Sequence, residues 1–433
     1  MVRWMRLRFQ TTLALFMILA TMPFSGCGRD ATFRRDPSAQ VPAIPDGFGV
    51  NIHFTDPQPG EMKMLAESGV RWVRMDFKWD LTEPAKGKYD FAPYDRLMSA
   101  LAPFGIRALF ILDYGNPLYD GGGDPPGPPR TAASRQAFAR WAVAAAKHFG
   151  GRGIIWETWN EPNIQMFWRP RPNVDEYVAL ALDVGRAFRA AVPDEKLIGP
   201  AISEMRFSFL EACFQAGLLE YWSGVSVHPY LRSNPELISG DYQHLRELIK
   251  TYAPQGKQIA IYSGEWGYSS AWRGMSEEKQ GQFLARQWLT NVANDIPLSI
   301  WYDWRDDGSD PNEPEHHFGM VSNLYHQGRE QVYDPKPAYL AARMLTTFFG
   351  GYQYDKRLNA GGPDDYILIF RKGSSLRVAA WTTADRDHRL IVPLEVGQYT
   401  AVTHLGGNAR SVAANQNGVE LTLTAGPVYL RRE

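Results

Sequence analysis

Short apolar runs alternate with amphipathic stretches across residues 46–351, and the alternation repeats eight times. The runs are rich in Val, Ile, Phe and Trp, which is typical of buried parallel strands, and the stretches between them place apolar residues at helical spacing. The segment 135–149 is the clearest case, because Phe138, Trp141 and Ala145 share one face and two glycines follow. It predicts an amphipathic helix that ends at a glycine stop.

The eight predicted strands define the fold class of this region. They cover 48–54, 72–77, 108–114, a run from Ile154 to the residue before Pro162, 197–202, 224–230, 258–268 and 298–304. Eight strand–helix units predict an α/β fold of the (β/α)8 TIM-barrel type, in which catalytic groups lie at the carboxyl ends of the strands. A doubly wound sheet is the alternative layout, but the Gly-rich phosphate-binding turn expected after an early strand is not in the sequence.

The hydrophobic period changes after residue 351. Turn signals such as 406–408 now separate short β-like runs, which cover 366–370, 376–382, 390–394, 399–404, 419–423 and 428–431. These runs predict a small C-terminal all-β domain, a β-sandwich packed on the barrel. The predicted domains are 1–27 (signal peptide and lipoprotein cleavage box), 28–45 (linker), 46–351 (catalytic (β/α)8 barrel) and 352–433 (β-sandwich).

The N-terminus predicts export. Arginines at positions 3, 6 and 8 precede an apolar run at 13–20, which is too short for a membrane span. Small residues then precede Cys27, as in a bacterial lipoprotein cleavage box, so we expect a lipidated, periplasmic or outer-membrane-associated protein. An uncleaved anchor and an ordinary secreted form are the alternatives. The polar, Pro-bearing segment 28–45 is expected to be a tether.

The amino-acid composition limits the classes of partner that the protein can bind. A net charge of −1 argues against nucleic acid or an anionic membrane as an electrostatic partner. Only two Cys are present, so no disulfide framework is expected, and Cys213 is expected to be a core residue. Seven of the 14 Trp lie at or just past predicted strand ends: Trp79, Trp159, Trp168, Trp266, Trp272, Trp301 and Trp304. This clustering favours a surface on which sugar rings stack, and the alternative is that these side chains only pack in the core.

Two glutamates carry the candidate chemistry. Glu161 lies where the fourth strand ends, with aromatic residues nearby, and Glu265 lies in the seventh strand between Gly264 and Trp266. Strands four and seven of a barrel direct side chains into the same mouth. Two carboxylates across one pocket are what hydrolysis of a glycosidic bond requires, one as acid and one as nucleophile or base. Glu157 is expected to point into the barrel layers and is a poor catalytic candidate.

At these residues the sequence resembles clan A glycoside hydrolases of the retaining kind, and within the clan the family 39-like, PslG-like exopolysaccharide endoglycosidases. The resemblance covers about residues 46–351. The stretches that carry it are Gly-Asn-Pro-Leu-Tyr-Asp-Gly-Gly at 115–122, Trp-Asn-Glu-Pro at 159–162, Ser-Val-His-Pro-Tyr at 226–230, Ser-Gly-Glu-Trp-Gly-Tyr-Ser at 263–269 and Trp-Tyr-Asp-Trp at 301–304.

The resemblance implies that Glu161 is the general acid/base and Glu265 the nucleophile. It also implies that Asn160 binds the sugar hydroxyl next to the anomeric carbon and that Arg74 keeps the nucleophile ionised. His228 and Tyr230 would orient Glu265 and the sugar ring. A purely structural role is the alternative for two of these residues. Arg74 could pair with Asp76 or another buried carboxylate, and His228 could be a core histidine whose ring nitrogens are hydrogen-bonded.

Other strand ends supply further candidates for substrate contact, which are Asn51, His53, Asn116, Trp266, Trp301, Asp303 and Trp304, with Trp301 or Trp304 as the sugar platform. Residues 315–317, Glu-His-His, do not predict a metal, because adjacent side chains of a strand face opposite ways. No metal or cofactor is expected. The loop 120–130 is either a wall of the cleft or an irregular insertion.

These observations predict a retaining endo-glycosidase whose partner is its polysaccharide substrate and which is expected to be a monomer. An exo-acting glycosidase of the β-xylosidase kind is the alternative enzyme. A catalytically inactive polysaccharide-binding or assembly barrel is the alternative from another class, and the presence of both glutamates argues against it.

Overall fold

The computed structural model describes residues 41–119 and 127–433, and in this part of the chain eight parallel strands close into a barrel in sequence order. The strands are β1 (Phe48–Asn51), β2 (Trp72–Lys78), β3 (Arg107–Asp113), β4 (Ile155–Thr158), β5 (Lys196–Ser203), β6 (Gly224–His228), β7 (Ala260–Trp266) and β8 (Ser299–Trp301). Pairing of β1 with β8 closes the barrel. The predicted TIM-type fold class is confirmed.

Helices connect the strands, and the three longest, α4, α5 and α8, begin at a side-chain cap. They are α1 (Glu61–Glu67), α2 (Trp79–Thr82), α3 (Ala92–Leu101), α4 (Ala132–His148), α5 (Val174–Ala191), α6 (Phe207–Gln215), α7 (Ser239–Tyr252), α8 (Glu277–Ala293) and α9 (Pro337–Phe348). Asn173 accepts hydrogen bonds from two backbone amides of α5, and Ser276 accepts one at the start of α8. None of the described helices combines the length and apolar character needed to cross a membrane.

The barrel interior is layered from apolar to charged. One cluster of buried side chains joins residues of six strands with Leu298, the residue just before β8; it comprises Trp72, Leu109, Ile111, Ile155, Ile198, Tyr262, Leu298 and Ile300. Side chains two positions apart on a strand face the same way, so Arg74 follows Trp72 and Glu157 follows Ile155 on that interior face. Both charged residues are almost completely buried. The apolar layer therefore forms the floor beneath a charged layer nearer the carboxyl ends.

The C-terminal strands form one antiparallel sheet, in the order β12-β15-β14-β13-β16-β11-β10-β9. They are β9 (Gln353–Arg357), β10 (Asp365–Lys372), β11 (Ser375–Thr382), β12 (His388–Val392), β13 (Gly397–Thr403), β14 (Gly406–Asn415), β15 (Gly418–Leu423) and β16 (Val428–Arg432). The sheet curls over a common apolar core, because His388 of β12 contacts Asp365 of β10 although these strands are not neighbours. This is the separate all-β domain that the sequence predicts.

Two of these strands carry no clear sequence signal. In β14 most side chains are exposed, and its first two residues are glycines with positive φ, which indicate a turn. β9 has a single fully buried side chain, Tyr354. The six other strands of the sheet agree with the predicted ones within a few residues.

The beginning of the described chain belongs to the folded body. Ile44 is buried, and its backbone exchanges hydrogen bonds with the segment after α9, at Gly351 and Tyr352. The predicted export signal, Cys27, most of the tether 28–45 and residues 120–126 of the loop after β3 lie outside the described residues.

Candidate active site

A left-handed turn after β4 presents Glu161. Trp159 and Glu161 adopt positive φ values of 69° and 44°, and the amide of Glu161 donates to the carbonyl of Ala201, itself a positive-φ residue within β5, at 2.9 Å. Such conformations are unusual for residues other than glycine and occur frequently at functional sites. The Glu161 side chain is 8% exposed, and its Oε1 lies 3.0 Å from Nδ1 of His228.

Glu265 lies near the end of β7 with a donor on each carboxylate oxygen. Nη1 of Arg74 donates to Oε2 at 2.5 Å, and the Tyr230 hydroxyl donates to Oε1 at 2.7 Å. Two donors of which one is charged stabilise the anionic form of a carboxylate. The side chain remains 12% exposed, so this charged oxygen pair can still be approached from the barrel mouth.

Arg74 is the hub of the site. Its guanidinium, which is 1% exposed, contacts Glu157 at 2.7 Å as well as Glu265. It also donates to Oδ1 of Asn51 at 3.3 Å and to Oδ1 of Asn160 at 2.8 Å. Burial alone disfavours its charge, but Glu157 and Glu265 outweigh burial and raise the pKa of Arg74 above its ordinary value. Arg74 thus contacts the predicted nucleophile and also pairs with another buried carboxylate, Glu157, so both predicted arrangements occur together.

The tautomer of His228 follows from its neighbours. Nη2 of Arg74 lies 3.3 Å from Nε2 of His228, and a guanidinium can only donate. Nε2 must therefore accept, which leaves the proton on Nδ1, where it is donated to Oε1 of Glu161. Burial lowers the pKa of His228 to about 4, so the ring is neutral near neutral pH. His228 thus joins the Arg74 hub to Glu161.

The two glutamates differ in their surroundings. Burial raises the pKa of Glu161 to about 7, against the opposing effects of Ser203 and Arg74. Glu265 instead receives the positive charge of Arg74 directly. One carboxylate oxygen of Glu161 and one of Glu265 lie within 4.8 Å of each other, with a nitrogen of His228 equally near. A buried carboxyl group with a raised pKa therefore faces, across a narrow gap, a carboxylate that is paired with Arg74.

A second polar group lies beside this centre. Nε2 of His53 is 3.5 Å from Oδ2 of Asp303, and Asp307 is close to both. Burial raises the pKa of Asp303, and Asp303 raises the pKa of His53 against the desolvation of its ring, although the His53 side chain remains 39% exposed. His53 and Asp303 therefore form a pair at the ends of β1 and β8, and their predicted contact with the substrate stays a prediction.

Four predicted contact residues are not available to a ligand in this structure. Trp266, Trp301 and Trp304 are at most 1% exposed, so none offers a face to a sugar ring. The indole nitrogens of Trp301 and Trp304 donate to Phe318 and Glu61, which fixes them as packing residues. Asn116 is also buried, and its side chain binds backbone groups of its own loop and of the segment around α2. The expected sugar platform at Trp301 or Trp304 is thus corrected.

Sequence reasoning assigned no role to two residues that shape the site. Glu157 binds Arg74 and is fully buried, as its predicted inward position indicates. Gly264 leaves room for the network, because a Cβ there would lie 2.2 Å from Oγ of Ser226 and 3.1 Å from Oε1 of Glu157. In the sequence, the only indication of this role is that Gly264 directly precedes Glu265.

The donor chemistry of the site does not fit a metal ion. Glu161, His228 and Glu265 are close enough to share a cation, but Arg74 already supplies a positive charge to Glu265 at 2.5 Å. At His228 the nitrogen facing Glu161 carries the proton, so it has no lone pair to offer a metal. Among the described residues, the predicted Glu-His-His stretch at 315–317 forms no such group.

Sequence comparisons match a short part of the barrel. A family model described as beta-galactosidase, of the glycoside hydrolase 42 type, matches residues 58–112. The curated beta-galactosidase BgaH of Haloferax lucentense is 33% identical over 58 residues, which are 13% of this chain and 9% of that protein.

Structural comparisons cover nearly the whole chain. A family 39 glycoside hydrolase from the gut symbiont Bacteroides cellulosilyticus WH2 is 25% identical, with a TM-score of 0.77 over 91% of this chain and 83% of that one. A monomeric beta-xylosidase from Caulobacter crescentus CB15 is 17% identical, with a TM-score of 0.65 over 89% and 96%. A family 30 endoxylanase from Clostridium papyrosolvens C71 is 11% identical, with a TM-score of 0.63 over 92% and 98%. The last two similarities establish the shared fold.

Proposed function

We propose that this family 39-like glycoside hydrolase cleaves O-glycosidic bonds within a cell-surface or secreted polysaccharide and retains the configuration of the anomeric carbon. The observation that carries the proposal is the gap of at most 4.8 Å between oxygens of Glu161 and Glu265. Carboxyl groups about 5–5.5 Å apart are typical of retaining enzymes, whereas inverting enzymes leave roughly 6.5–9.5 Å for a water molecule.

The reaction proceeds in two displacements. In the first, Oε of ionised Glu265 forms a bond to the anomeric carbon while the glycosidic C–O bond breaks, and Glu161 gives its proton to the departing oxygen. In the second, Glu161, now a carboxylate, takes a proton from water, whose oxygen displaces Glu265 from the anomeric carbon. The free sugar chain end leaves with retained configuration, and both glutamates return to their starting states.

The surrounding residues position the two glutamates and the sugar. Arg74 and Tyr230 hold both oxygens of Glu265, which orients the attacking lone pair and stabilises the carboxylate when it leaves. The Oδ1 atom of Asn160 is occupied by Arg74, so its amide nitrogen is the group that can donate to a sugar hydroxyl. His228 fixes the Glu161 carboxyl group at 3.0 Å.

An analysis of products tests the proposal. The purified protein is incubated with a panel of bacterial exopolysaccharides and plant β-glycans, and the products are sized and followed by NMR from the start of the reaction. We expect oligosaccharides whose new reducing ends first appear in the substrate's anomeric configuration. Release of monosaccharide alone would favour the exo-acting, β-xylosidase-like alternative, and appearance of the opposite anomer would reject retention.

Substrate class and location are part of the same proposal. The motifs shared with PslG-like endoglycosidases support a bacterial exopolysaccharide as substrate, and Cys27 supports attachment of an exported protein to a membrane through lipid. A Cys27→Ser variant expressed with its native leader tests the second point. We expect the variant to move from the membrane fraction to the soluble fraction, and an unchanged distribution would reject lipidation at this residue.

A further inference from the structure

A polar cavity of about 390 Å³ lies among the segments that follow the carboxyl ends of β1 and β8. The segments that follow β1 and β8 form its walls, and the Tyr325 hydroxyl joins them by donating to the carbonyl of Pro59 at 3.0 Å. This volume falls in the range of roughly 300–1,000 Å³ that is usual for small-molecule sites. The side chains that line it are Gln58, Arg305, Asp306, Asp307, Asn323, Tyr325 and Tyr333.

The cavity is connected to the nucleophile through one wall. Asp307, which lines the cavity, also lies against His53 and Asp303. The His53 ring packs edge-on to Tyr302 with ring centres 5.6 Å apart. Tyr302 lies beside the end of β7, because its amide donates to the carbonyl of Trp266, the residue after Glu265, at 3.2 Å. The residues Tyr302, His53 and Asp307 therefore lead from the end of β7 to the cavity.

The lining has the chemistry of a sugar site. Arg305 uses Nη1 to bind Glu61 and the Tyr333 hydroxyl, and its side chain remains 31% exposed, so its other nitrogen can serve a ligand hydroxyl. The ring of Tyr325 is partly exposed and packs 5.8 Å from the buried ring of Tyr333, so Tyr325 is the residue that can present an aromatic surface to a ligand. Asn323 is exposed and adds an amide with both donor and acceptor atoms.

The charges around the cavity disfavour an acidic sugar. Arg305 is balanced by Glu61, and Asp306 is balanced by Lys336 at 2.8 Å. His53 and Asp303 pair with each other at 3.5 Å, which leaves Asp307 as an additional carboxylate, exposed to the cavity. A uronate placed there would meet an excess negative charge, whereas an uncharged sugar would find acceptors and donors for its hydroxyl groups.

We propose that this cavity is a binding subsite for an uncharged pyranose unit of the polysaccharide, next to the unit that is cleaved. The inference rests on the proposed function, and it adds the position and the charge class of a neighbouring sugar. It also explains how the enzyme would hold a chain by more than its terminal residue, as cleavage within a chain requires.

Chain-length kinetics test the subsite. Size-fractionated oligosaccharides of a neutral polysaccharide that the enzyme cleaves are compared with an aryl glycoside that fills only the catalytic centre. The measured quantity is the ratio of kcat/KM for the long substrate to that for the aryl glycoside. In Asn323→Trp a bulky ring fills the cavity, and we expect this ratio to fall at least about tenfold, equivalent to about 1.4 kcal/mol. Leu324→Ala is the matched control, because this neighbouring side chain is 61% exposed and does not line the cavity.

The outcomes separate the two proposals. A ratio in Asn323→Trp equal to that of wild type, with unchanged thermal stability, would overturn the subsite while leaving the glycosidase proposal intact. Failure of wild type to cleave any substrate would instead reject the proposed function.

The charge class of the bound sugar is tested with the same oligosaccharides oxidised to carboxylates at C6. We expect the rate penalty for oxidation to shrink in Asp307→Asn but not in Leu324→Ala, and a preference of wild type for the oxidised chains would overturn the uncharged assignment.

Discussion

At the scale of single residues, one buried guanidinium organises the site. Arg74 contacts the nucleophile candidate Glu265, the side-chain amide of Asn160 and the ring of His228, so it brings positive charge to one glutamate and orients the hydrogen-bond partner of the other. A buried arginine with two carboxylates in contact is costly to assemble but rigid once formed. Rigidity of this kind is what positions reacting atoms before the substrate arrives.

Replacing the nucleophile tests the assignment of the glutamates. Glu265→Gln keeps the size of the side chain and should leave the circular dichroism spectrum unchanged while abolishing turnover, because an amide cannot form the glycosyl ester. In Glu265→Gly, added azide can enter the vacated space, and we expect it to restore cleavage with formation of a glycosyl azide. Glu420→Gln, on the exposed face of β15, is the control. Near-wild-type turnover by Glu265→Gln would show that another group attacks.

The pKa of Glu161 predicts a pH limit. The general acid must hold its proton, and burial places its pKa at about 7, so kcat/KM should fall as the pH rises above about 7. In Glu161→Gln we expect this alkaline limb to disappear and kcat to fall by roughly 10²–10⁴-fold on substrates with poor leaving groups. Activated aryl glycosides should lose less, because their leaving group needs little protonation. A limb that persists unchanged in Glu161→Gln would assign it to a different residue.

The sequence reveals both glutamates but not the burial of the tryptophans. A β-rich run followed by a proline marks the end of β4, so the place of Glu161 can be predicted from local chemistry alone. The exposure of Trp301 and Trp304 depends instead on how the long segment after β8 folds back, with Phe318 and Glu61 as partners. That packing is a long-range property, and local patterns carry no record of it.

At the scale of elements, β7 must pass very close to β6. A methyl group on Gly264 would lie 2.2 Å from Oγ of Ser226 and 3.5 Å from Nε2 of His228. The side chains of the hub can therefore meet only because one strand position has no side chain. The sequence does not predict two strands of the C-terminal sheet, β9 and β14. In β14 most side chains are exposed, so apolar and polar residues do not alternate along it.

Gly264→Ala should disturb the site through this contact. We expect overpacking to lower the free energy of unfolding by about 1–3 kcal/mol and to reduce kcat more than KM changes, because His228 and Glu157 are displaced. Ser226→Ala removes the nearest atom, which has no hydrogen-bond partner among the described residues, and should restore part of both losses in the double variant. Gly240→Ala, on α7 with open space around its Cα, should be tolerated. Full activity in Gly264→Ala would show that the strands can separate without cost.

At the scale of the whole molecule, a buried ion pair joins the C-terminal sheet to the catalytic face. Arg286 of α8 binds Glu236 through two nitrogens at 2.7 Å, and the indole of Trp381 in β11 donates to the same carboxylate at 2.7 Å. Glu236 belongs to the segment that follows β6 and begins with the residues around Tyr230. The sheet therefore supports the segment that carries Tyr230, which donates to Glu265. The division of the sequence into two domains does not predict this contact between them.

Trp381→Phe tests this support. The variant keeps an aromatic ring but loses a hydrogen bond to a buried carboxylate, which is worth about 1.5–3 kcal/mol. Trp288→Phe is the matched control, because Trp288 is equally buried and its indole nitrogen has no partner among the described residues. We expect Trp381→Phe to lower the melting temperature more than the control does and, at temperatures where both are folded, to lower kcat as Tyr230 loses its fixed position. Equal effects of the two substitutions would mean that the ring fills space and the hydrogen bond adds nothing. Because Glu236 retains Arg286 in Trp381→Phe, the folded state should survive, whereas Glu236→Ala would leave a buried arginine unpaired at a cost of about 3–5 kcal/mol.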